Sequence, residues 1–293
     1  MRRFVVALFL TTLCASFALA QGQSAPTLRV VTEDPSLPSE LFYGDVRVKP
    51  IRLRPGTNTR ITIDDSDFFV QQQYIDFLSR FPEAGGFAAW MRVLDSCNND
   101  PNCLHGVNGK RVLVSQSFFQ SIEFQYKGGF VYRFYKASFN RLPTYGEIVE
   151  GMRSVTGQTE AEVIAKRNAF MNNWVTRGDF ATAFPASLSP ADYVNKILQT
   201  AGVTVANKDQ LIAGLTNGTE TRASVLGKIV ESSELYTKEY DPAFVAMQYY
   251  GYLRRAPEPE GYNNWLTYLR NNPGDYKTMV WGFVYSGEYR NRH

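Results

Sequence analysis

Residues 69–90 read FVQQQYIDFLSRFPEAGGFAAW, and residues 244–265 read FVAMQYYGYLRRAPEPEGYNNW. Aligned without gaps, the two stretches are identical at 10 of 22 positions, far more often than chance allows. Both open with a mainly apolar stripe at i, i+1, i+4, i+5, i+8 and i+9, the spacing of one face of an α-helix. Pro82 and Pro257 then end that helix, because proline lacks the amide proton that a helix interior requires. The chain therefore contains a repeated helical unit.

The same helical stripe returns between these stretches, at Phe130–Phe139 and, in eroded form, from Tyr193. Unit two has Gly151 at the position that holds Trp90 in unit one and Trp265 in unit four. Units this small cannot bury their apolar faces alone. We therefore predict an all-α fold, an array of about four small helical repeat units. The predicted units are 67–126, 127–182, a degenerate 188–238 and 241–290.

The chain begins with the pattern of a secretory signal. Two arginines precede an apolar run, Phe4–Leu13, and alanines end the pattern where signal peptidase requires small residues. The alternative, an uncleaved membrane anchor, needs about 20 apolar residues, and this run is shorter. Residues 1–20 are therefore a predicted signal peptide, cut between Ala20 and Gln21. We expect a secreted, periplasmic or cell-surface protein with no transmembrane segment in the mature chain.

Residues 21–66 hold five prolines and no helical period, so their first half is predicted to be a Pro-rich linker. From Val46 apolar and basic residues alternate, and Pro55-Gly56 is a turn signal before a returning strand at Thr59–Ile63. This predicts a short N-terminal β-hairpin or extended arm. Its basic residues can protect an exposed strand edge, and contact with anionic glycans is the alternative. They are Arg47, Lys49, Arg52, Arg54 and Arg60.

Composition disfavours several classes of function. Lys and Arg number 31 against 28 Asp and Glu, and loss of the signal leaves 29 basic residues, so the net charge falls to +1. Nucleic acid is then a poor candidate partner, because its binding rests on many phosphate contacts. Two histidines and three cysteines are too few for a zinc site, a haem or a histidine triad. We expect no cofactor, no metal and no catalytic residue.

The recurring pattern is an aromatic-Val pair, then Tyr, Leu, Arg, Pro, Gly and Trp, closed by Ser-x-Glu-aromatic. It runs from Phe69-Val70 to Ser121-Ile122-Glu123-Phe124 in unit one and closes with Ser286-Gly287-Glu288-Tyr289 in unit four. The pattern resembles the bacterial domain-of-unknown-function family 4214 and, more distantly, the phycobilisome linker domain. The resemblance covers roughly residues 67–290. It implies a repeated helical module of exported and surface-associated proteins, no catalytic residue and, by analogy of fold, an interaction role.

An arginine closes the first helix of units one, two and four, and an acid stands in the closing motif of each. We predict bidentate ion pairs that tie the first helix to the last. An anion or sugar site lined by arginine is the alternative. The predicted pairs are Arg80 with Glu123, Arg141 with Asp179 and Arg255 with Glu288.

Aromatic residues are the candidate binding side chains. Trp90 and Trp265 lie at helical spacing within a repeat, so we expect them to pack in the core, with a sugar-stacking platform as the alternative. Tyrosines crowd unit four, and some of them are expected on a face that binds glycan or protein. They include Tyr250, Tyr262 and Tyr268.

Unit one carries a ten-residue insertion relative to unit four, and the insertion holds Cys97 and Cys103. The residues between them, Asn98-Asn99-Asp100-Pro101-Asn102, favour a turn that brings the two cysteines within bridging range. We predict a disulfide, because exported proteins meet an oxidising compartment. Zinc would need two further ligands, and only His105 is near.

The sequence as a whole predicts a secreted, non-catalytic helical repeat protein for surface association or for binding an unknown protein or glycan at the cell surface. The alternative is a polysaccharide-active hydrolase or lyase whose carboxylates come together from different units. A deep cleft with two carboxyl groups about 5–10 Å apart would favour the enzyme. A convex helical surface without a cleft would favour binding.

Overall fold

The computed structural model describes the backbone of three strands, 28–31, 40–43 and 46–48, and residues 52–157 and 159–293. The predicted signal peptide and most of the predicted linker lie outside the described residues. Helices dominate the described part of the chain, which confirms the all-α prediction. Among these residues, no helix is both long enough and apolar enough to cross a membrane.

The N-terminal arm forms two small antiparallel sheets. The first contains β1 (Leu28–Val31), β2 (Glu40–Tyr43) and β3 (Val46–Val48), in that order, and the second contains β4 (Arg52–Leu53) and β5 (Arg60–Ile61). The short hairpin across Pro55-Gly56 is thus confirmed, with Arg52 opposite Ile61. The strand that begins at Val46 pairs with β2 instead of joining the hairpin. Pro50, which has no amide proton to give to a ladder, separates the two in sequence.

Two arginines of the hairpin hold it against the helices. The Arg52 guanidinium lies 4.8 Å from the centre of the Phe68 ring. Arg54 binds Asp65 and Asp67 at 2.7 Å each. These two residues of the expected basic face therefore serve attachment of the hairpin rather than a free cationic surface.

Each helical unit consists of a first, a second and a third helix, followed by a short closing segment. Unit one contains α1 (Ser66–Leu78), α2 (Ala84–Asp95), α3 (Pro101–Leu104, in the insertion), α4 (Lys110–Gln120) and α5 (Ile122–Phe124). Unit two contains α6 (Phe130–Phe139), α7 (Tyr145–Ser154), α8 (Glu160–Thr176) and α9 (Gly178–Ala183). Unit three contains α10 (Pro190–Ala201), α11 (Lys208–Asn217) and α12 (Arg222–Val230). Unit four contains α13 (Ser233–Gln248), α14 (Pro259–Asn271), α15 (Tyr276–Val284) and α16 (Gly287–Arg290).

Two pairs of units share a continuous helix. A π-helical turn, Gln125–Gly129, joins α5 to α6, so the closing segment of unit one runs directly into unit two. The closing motif of unit three likewise opens α13, which continues through the π-helical turn Tyr249–Leu253. A serine at the equivalent position caps the start of each of these closing segments. Ser121 and Ser232 each accept a hydrogen bond from the backbone N–H three residues later.

The four first helices all end on a residue with a left-handed backbone. A residue in this conformation lets the following amide groups satisfy the last carbonyl groups of the helix. These residues are Ser79, Asn140, Gly202 and Arg254, with φ angles of 53°, 48°, 63° and 50°. Serine and arginine rarely adopt this conformation, so at two of the four positions tertiary packing overrides local preference.

The first helices form the centre of the molecule. Helix α6 packs against α10, α12 and α13, and its residues Phe130, Tyr132 and Phe134 are fully buried. Unit four also packs on unit one, since α15 lies on α4 and the Tyr252 ring meets Phe77 at 5.1 Å. The first and last units are therefore in direct contact and share one continuous core.

Candidate binding groove of unit two

Two of the three predicted ion pairs are present. Arg80 binds Glu123 through two parallel hydrogen bonds of 2.7 Å, so α1 is tied to the closing segment of unit one. Arg255 binds Glu288 in the same way, at 2.9 and 3.1 Å. The Glu123 pair also includes Lys127, at 2.5 Å. Burial opposes ionisation of Glu123, but the hydrogen bonds from Arg80 and Lys127 outweigh it and hold its pKa below the ordinary value.

Unit two lacks the third predicted pair, Arg141 with Asp179. Arg141 instead makes two hydrogen bonds of 2.7 Å to Glu147, and Asp179 binds Arg177 at 2.6 and 3.0 Å. The physical reason is that each side chain has a nearer partner in this unit. Arg177 replaces the serine that opens the closing motif elsewhere, and Glu147 replaces the glycine of the recurring pattern.

The tryptophans of units one and four pack against the third helix of their own unit. The Trp90 ring lies 5.5 Å from Phe118, and the Trp265 ring lies 6.0 Å from Phe283. Both indoles are half-buried at the edge of the core. They pack as expected, but less completely than a core residue.

In unit two both positions of this aromatic pair hold a different residue. Gly151 stands at the tryptophan position, and Trp174 stands at the position of Phe118 and Phe283, three residues before the start of the closing motif. Trp174 is 2% exposed, and its indole N–H donates to the Ser138 hydroxyl at 2.9 Å. The net loss from unit two is therefore one aromatic side chain between the second and third helices.

Close packing of α7 on α6 explains why glycine is required at position 151. A Cβ atom on Gly151 would lie 2.5 Å from a methyl carbon of Val131, a distance that no relaxed side chain tolerates. Helix α7 thus approaches α6 closely at this point, and the space beside it toward α8 stays open.

A groove of about 470 Å³ occupies that space, between α7 and α8. We call it the unit-two groove. Its floor is apolar and mostly aromatic, formed by Tyr135, Gly151, Phe170 and Trp174. Its exposed polar rim is formed by Glu150 and Ser154 on α7 and by Lys166 and Asn173 on α8. A concave site of this size, with an apolar floor and a few polar groups, has the usual form of a ligand-binding site.

Most charged groups around the groove already have partners. The hydrogen bonds from Arg141 hold the pKa of Glu147 below its ordinary value, although burial opposes this, and the Thr144 backbone N–H adds a hydrogen bond of 2.7 Å. Lys166 donates to a backbone carbonyl at 2.5 Å. Glu150 is exposed and makes no ion pair with another residue in the described part of the chain. The mouth of the groove therefore carries one uncommitted carboxylate.

The tyrosines that the sequence suggested as binding residues are used within the fold. Tyr250 is 3% exposed and donates to the Pro143 carbonyl at 2.5 Å. The hydroxyl of Tyr262 donates to a backbone carbonyl at 3.2 Å, and that of Tyr268 donates to Asp275 at 2.6 Å. Burial thus removes Tyr250 from a binding face, whereas Tyr262 and Tyr268 are half-buried and stay predicted binding residues.

The insertion of unit one contains the predicted disulfide. Cys97 and Cys103 are bonded, with Cα atoms 5.5 Å apart. His105 lies beside this loop, and its Nδ1 is 2.8 Å from the Tyr285 hydroxyl. Across residues 52–157 and 159–293, no group of three or more His, Cys, Asp or Glu side chains is placed to hold a metal ion.

Trp174 lies on the third helix, outside the gapless alignment of the first two helices that defines the tryptophan position. Aligning the units instead on their closing motifs, at Ser121, Arg177 and Ser286, places Trp174 opposite two phenylalanines. That second anchor, available in the sequence, reveals the exchange with Gly151.

Residues 235–293 match the family model described as "Domain of unknown function (DUF4214)". The matched segment begins in the closing motif of unit three and covers the whole of unit four. The predicted resemblance to this family is thereby confirmed for that segment. The chain matches no curated protein and no solved structure.

Proposed function

We propose that this chain is a secreted, non-catalytic helical repeat protein that binds a protein or glycan at the cell surface through the unit-two groove. The observation that carries the proposal is the exchange of Gly151 and Trp174, which opens a groove where units one and four keep an indole. Without an indole at this place unit two buries less apolar area than units one and four do, and a bound ligand would restore that burial. The aromatic floor and polar rim favour such a ligand.

The charges of the groove favour binding over hydrolysis. Glycoside hydrolases place two carboxyl groups on either side of the bond that breaks, and one of them must be able to give a proton. Glu147 and Glu150 are three residues apart on α7, so both stand on one wall of the groove. Arg141 keeps the pKa of Glu147 low, which removes that carboxyl as a proton donor at neutral pH.

The test is a binding array with a variant that blocks the groove. The mature chain is applied to arrays of glycans and of bacterial surface proteins. Asn173→Trp places an indole at the rim of the groove, and Asn172→Trp is the matched control, since Asn172 is also an exposed asparagine on α8 and does not line the groove. We expect a ligand that the wild type and Asn172→Trp bind equally and that Asn173→Trp binds at least tenfold more weakly.

Three results would contradict the proposal. Equal binding by the two variants would place the ligand elsewhere on the molecule. Failure of the wild type to bind any member of either array would leave the chain without the proposed function. Release of reducing ends from an array polysaccharide would favour the hydrolase.

A further inference from the structure

We infer that the unit-two groove receives a tryptophan side chain from a partner protein, presented beside a lysine or arginine. This inference rests on the proposed function and names the chemistry of the partner. It is carried by three features of the molecule: the indole sites of units one and four, the coverage of the Trp174 ring, and the charge at the groove mouth.

The chain itself shows what fits between a second and a third helix of this repeat. In units one and four that space holds an indole, Trp90 or Trp265, against an aromatic residue of the third helix. The aromatic walls persist in unit two as Tyr135 and Trp174, whose rings meet edge-on at 4.7 Å. An incoming indole would therefore meet the half-buried Phe170 and the edges of these two rings, in aromatic surroundings of the kind that the other two units provide internally.

The Trp174 ring in the floor of the groove is covered by neighbouring side chains, which disfavours a sugar as the ligand. Sugar rings bind proteins by stacking on an open aromatic face. Here the Arg177 guanidinium lies over the Trp174 ring at 4.3 Å, and Phe134 and Phe170 pack against the same indole at 5.3 Å each. The floor thus presents little open indole face, and it suits an aromatic side chain that inserts by its edge.

The charged side chains at the mouth of the groove favour a basic residue next to the inserted tryptophan. Glu147 is paired with Arg141, and Lys166 on α8 donates to a neutral backbone carbonyl, so it keeps its positive charge. Among the described residues of the rim, Glu150 on α7 is the carboxylate without an ion pair. A lysine or arginine that flanks the inserted indole on the α7 side would meet this carboxylate, whereas an acidic residue there would be repelled.

The experiment titrates the ¹⁵N-labelled mature chain with two short blocked peptides, acetyl-Lys-Trp-Lys-amide and acetyl-Glu-Trp-Glu-amide, and follows amide and indole N–H signals. We expect the basic peptide to shift the signals of Gly151 and of the Trp174 indole, with an affinity at least threefold above that of the acidic peptide. Glu150→Gln should remove the difference between the peptides. Asn173→Trp should abolish the shifts, and Asn172→Trp should leave them unchanged.

The outcomes separate this inference from the proposed function. If an array ligand competes for the groove but the basic peptide causes no shift there, the function stands and the tryptophan inference is overturned. Equal affinities for the two peptides would overturn the role of Glu150. Peptide shifts that survive in Asn173→Trp would place the peptide outside the groove and overturn the inference as well.

Discussion

Units one and four are built alike, and unit two differs from them at the two places where their helices are fastened. In units one and four an arginine bridges the first helix to the closing segment, and an indole fills the space between the second and third helices. In unit two the arginine binds Glu147 instead, and the tryptophan is on the third helix, at position 174. The first change ties the end of α6 to α7 instead of to the closing segment, and the second leaves the groove between α7 and α8. Repetition thus lets one copy of a unit acquire a cavity while the other copies preserve the framework.

The largest expected effect is on stability. It tests whether the tryptophan of unit two is a core residue while that of unit four lies at the edge of the core. Trp174→Ala should lower the free energy of unfolding by about 3–5 kcal/mol, because it empties a fully buried site next to an existing groove. Trp265→Ala should lower it by only about 1–2 kcal/mol, since that indole is half-buried. Urea unfolding followed by circular dichroism gives both values.

The control for this pair is Trp281→Ala. Trp281 is 40% exposed, so its removal should change stability by less than about 1 kcal/mol. Equal losses for Trp174→Ala and Trp265→Ala would contradict the exchange of roles between the third and second helices.

The repeat made part of this structure predictable. Ten identities between residues 69–90 and 244–265 predict two copies of the same helices, and with them the pairs of Arg80 and Arg255. The predicted partner of Arg141 is wrong, because the repeat pattern gives no sign that the acid at position 147 competes for this arginine. The contact of unit four with unit one is a long-range event that no local period specifies. The groove arises because Gly151 has no Cβ and α7 can pack closely on α6, and a sequence pattern does not specify how two helices pack.

A second test concerns the junction of units one and four, where Asp76 aligns with Gly251. Asp76 is buried, accepts a hydrogen bond from Tyr289 at 3.2 Å and lies 3.8 Å from Arg254. Burial raises its pKa to about 6, although Arg254, Arg292 and the Tyr289 hydroxyl act in the opposite direction. Between its unfolded value of 3.8 and about 6, the folded state therefore binds more protons than the unfolded state.

Protonation of Asp76 thus stabilises the folded state at low pH, and this contribution to the free energy of unfolding is lost as the pH rises to about 6. Asp76→Asn removes this titration while keeping an oxygen that accepts from Tyr289. The stability of Asp76→Asn relative to wild type should increase by about 2.4 kcal/mol between pH 4 and pH 7. Urea unfolding of both proteins at four pH values measures this difference, in which the titrations of all other groups cancel. A flat difference, or one that falls with pH, would show that the ion pair with Arg254 dominates over burial.

The smallest expected effect separates two ion pairs that the sequence makes equivalent. Glu123 is 33% exposed and binds both Arg80 and Lys127, and the Lys127 side chain is only 3% exposed. Burial already lowers the pKa of Lys127, and the bond to Glu123 opposes that decrease. Glu123→Gln would leave a buried ammonium without its carboxylate, so we expect a loss of about 2 kcal/mol.

Glu288→Gln is the matched change in unit four. Both members of its pair are more than 40% exposed, so solvent screens the interaction, and we expect a loss of about 0.5 kcal/mol. Double-mutant cycles with Arg80→Ala and Arg255→Ala isolate the pairwise energies, which should differ in the same order. Because the arginine contacts are bidentate in both units, equal coupling energies would mean that hydrogen-bond geometry sets the strength of the pair. A larger energy in unit one would instead assign the difference to burial and to Lys127.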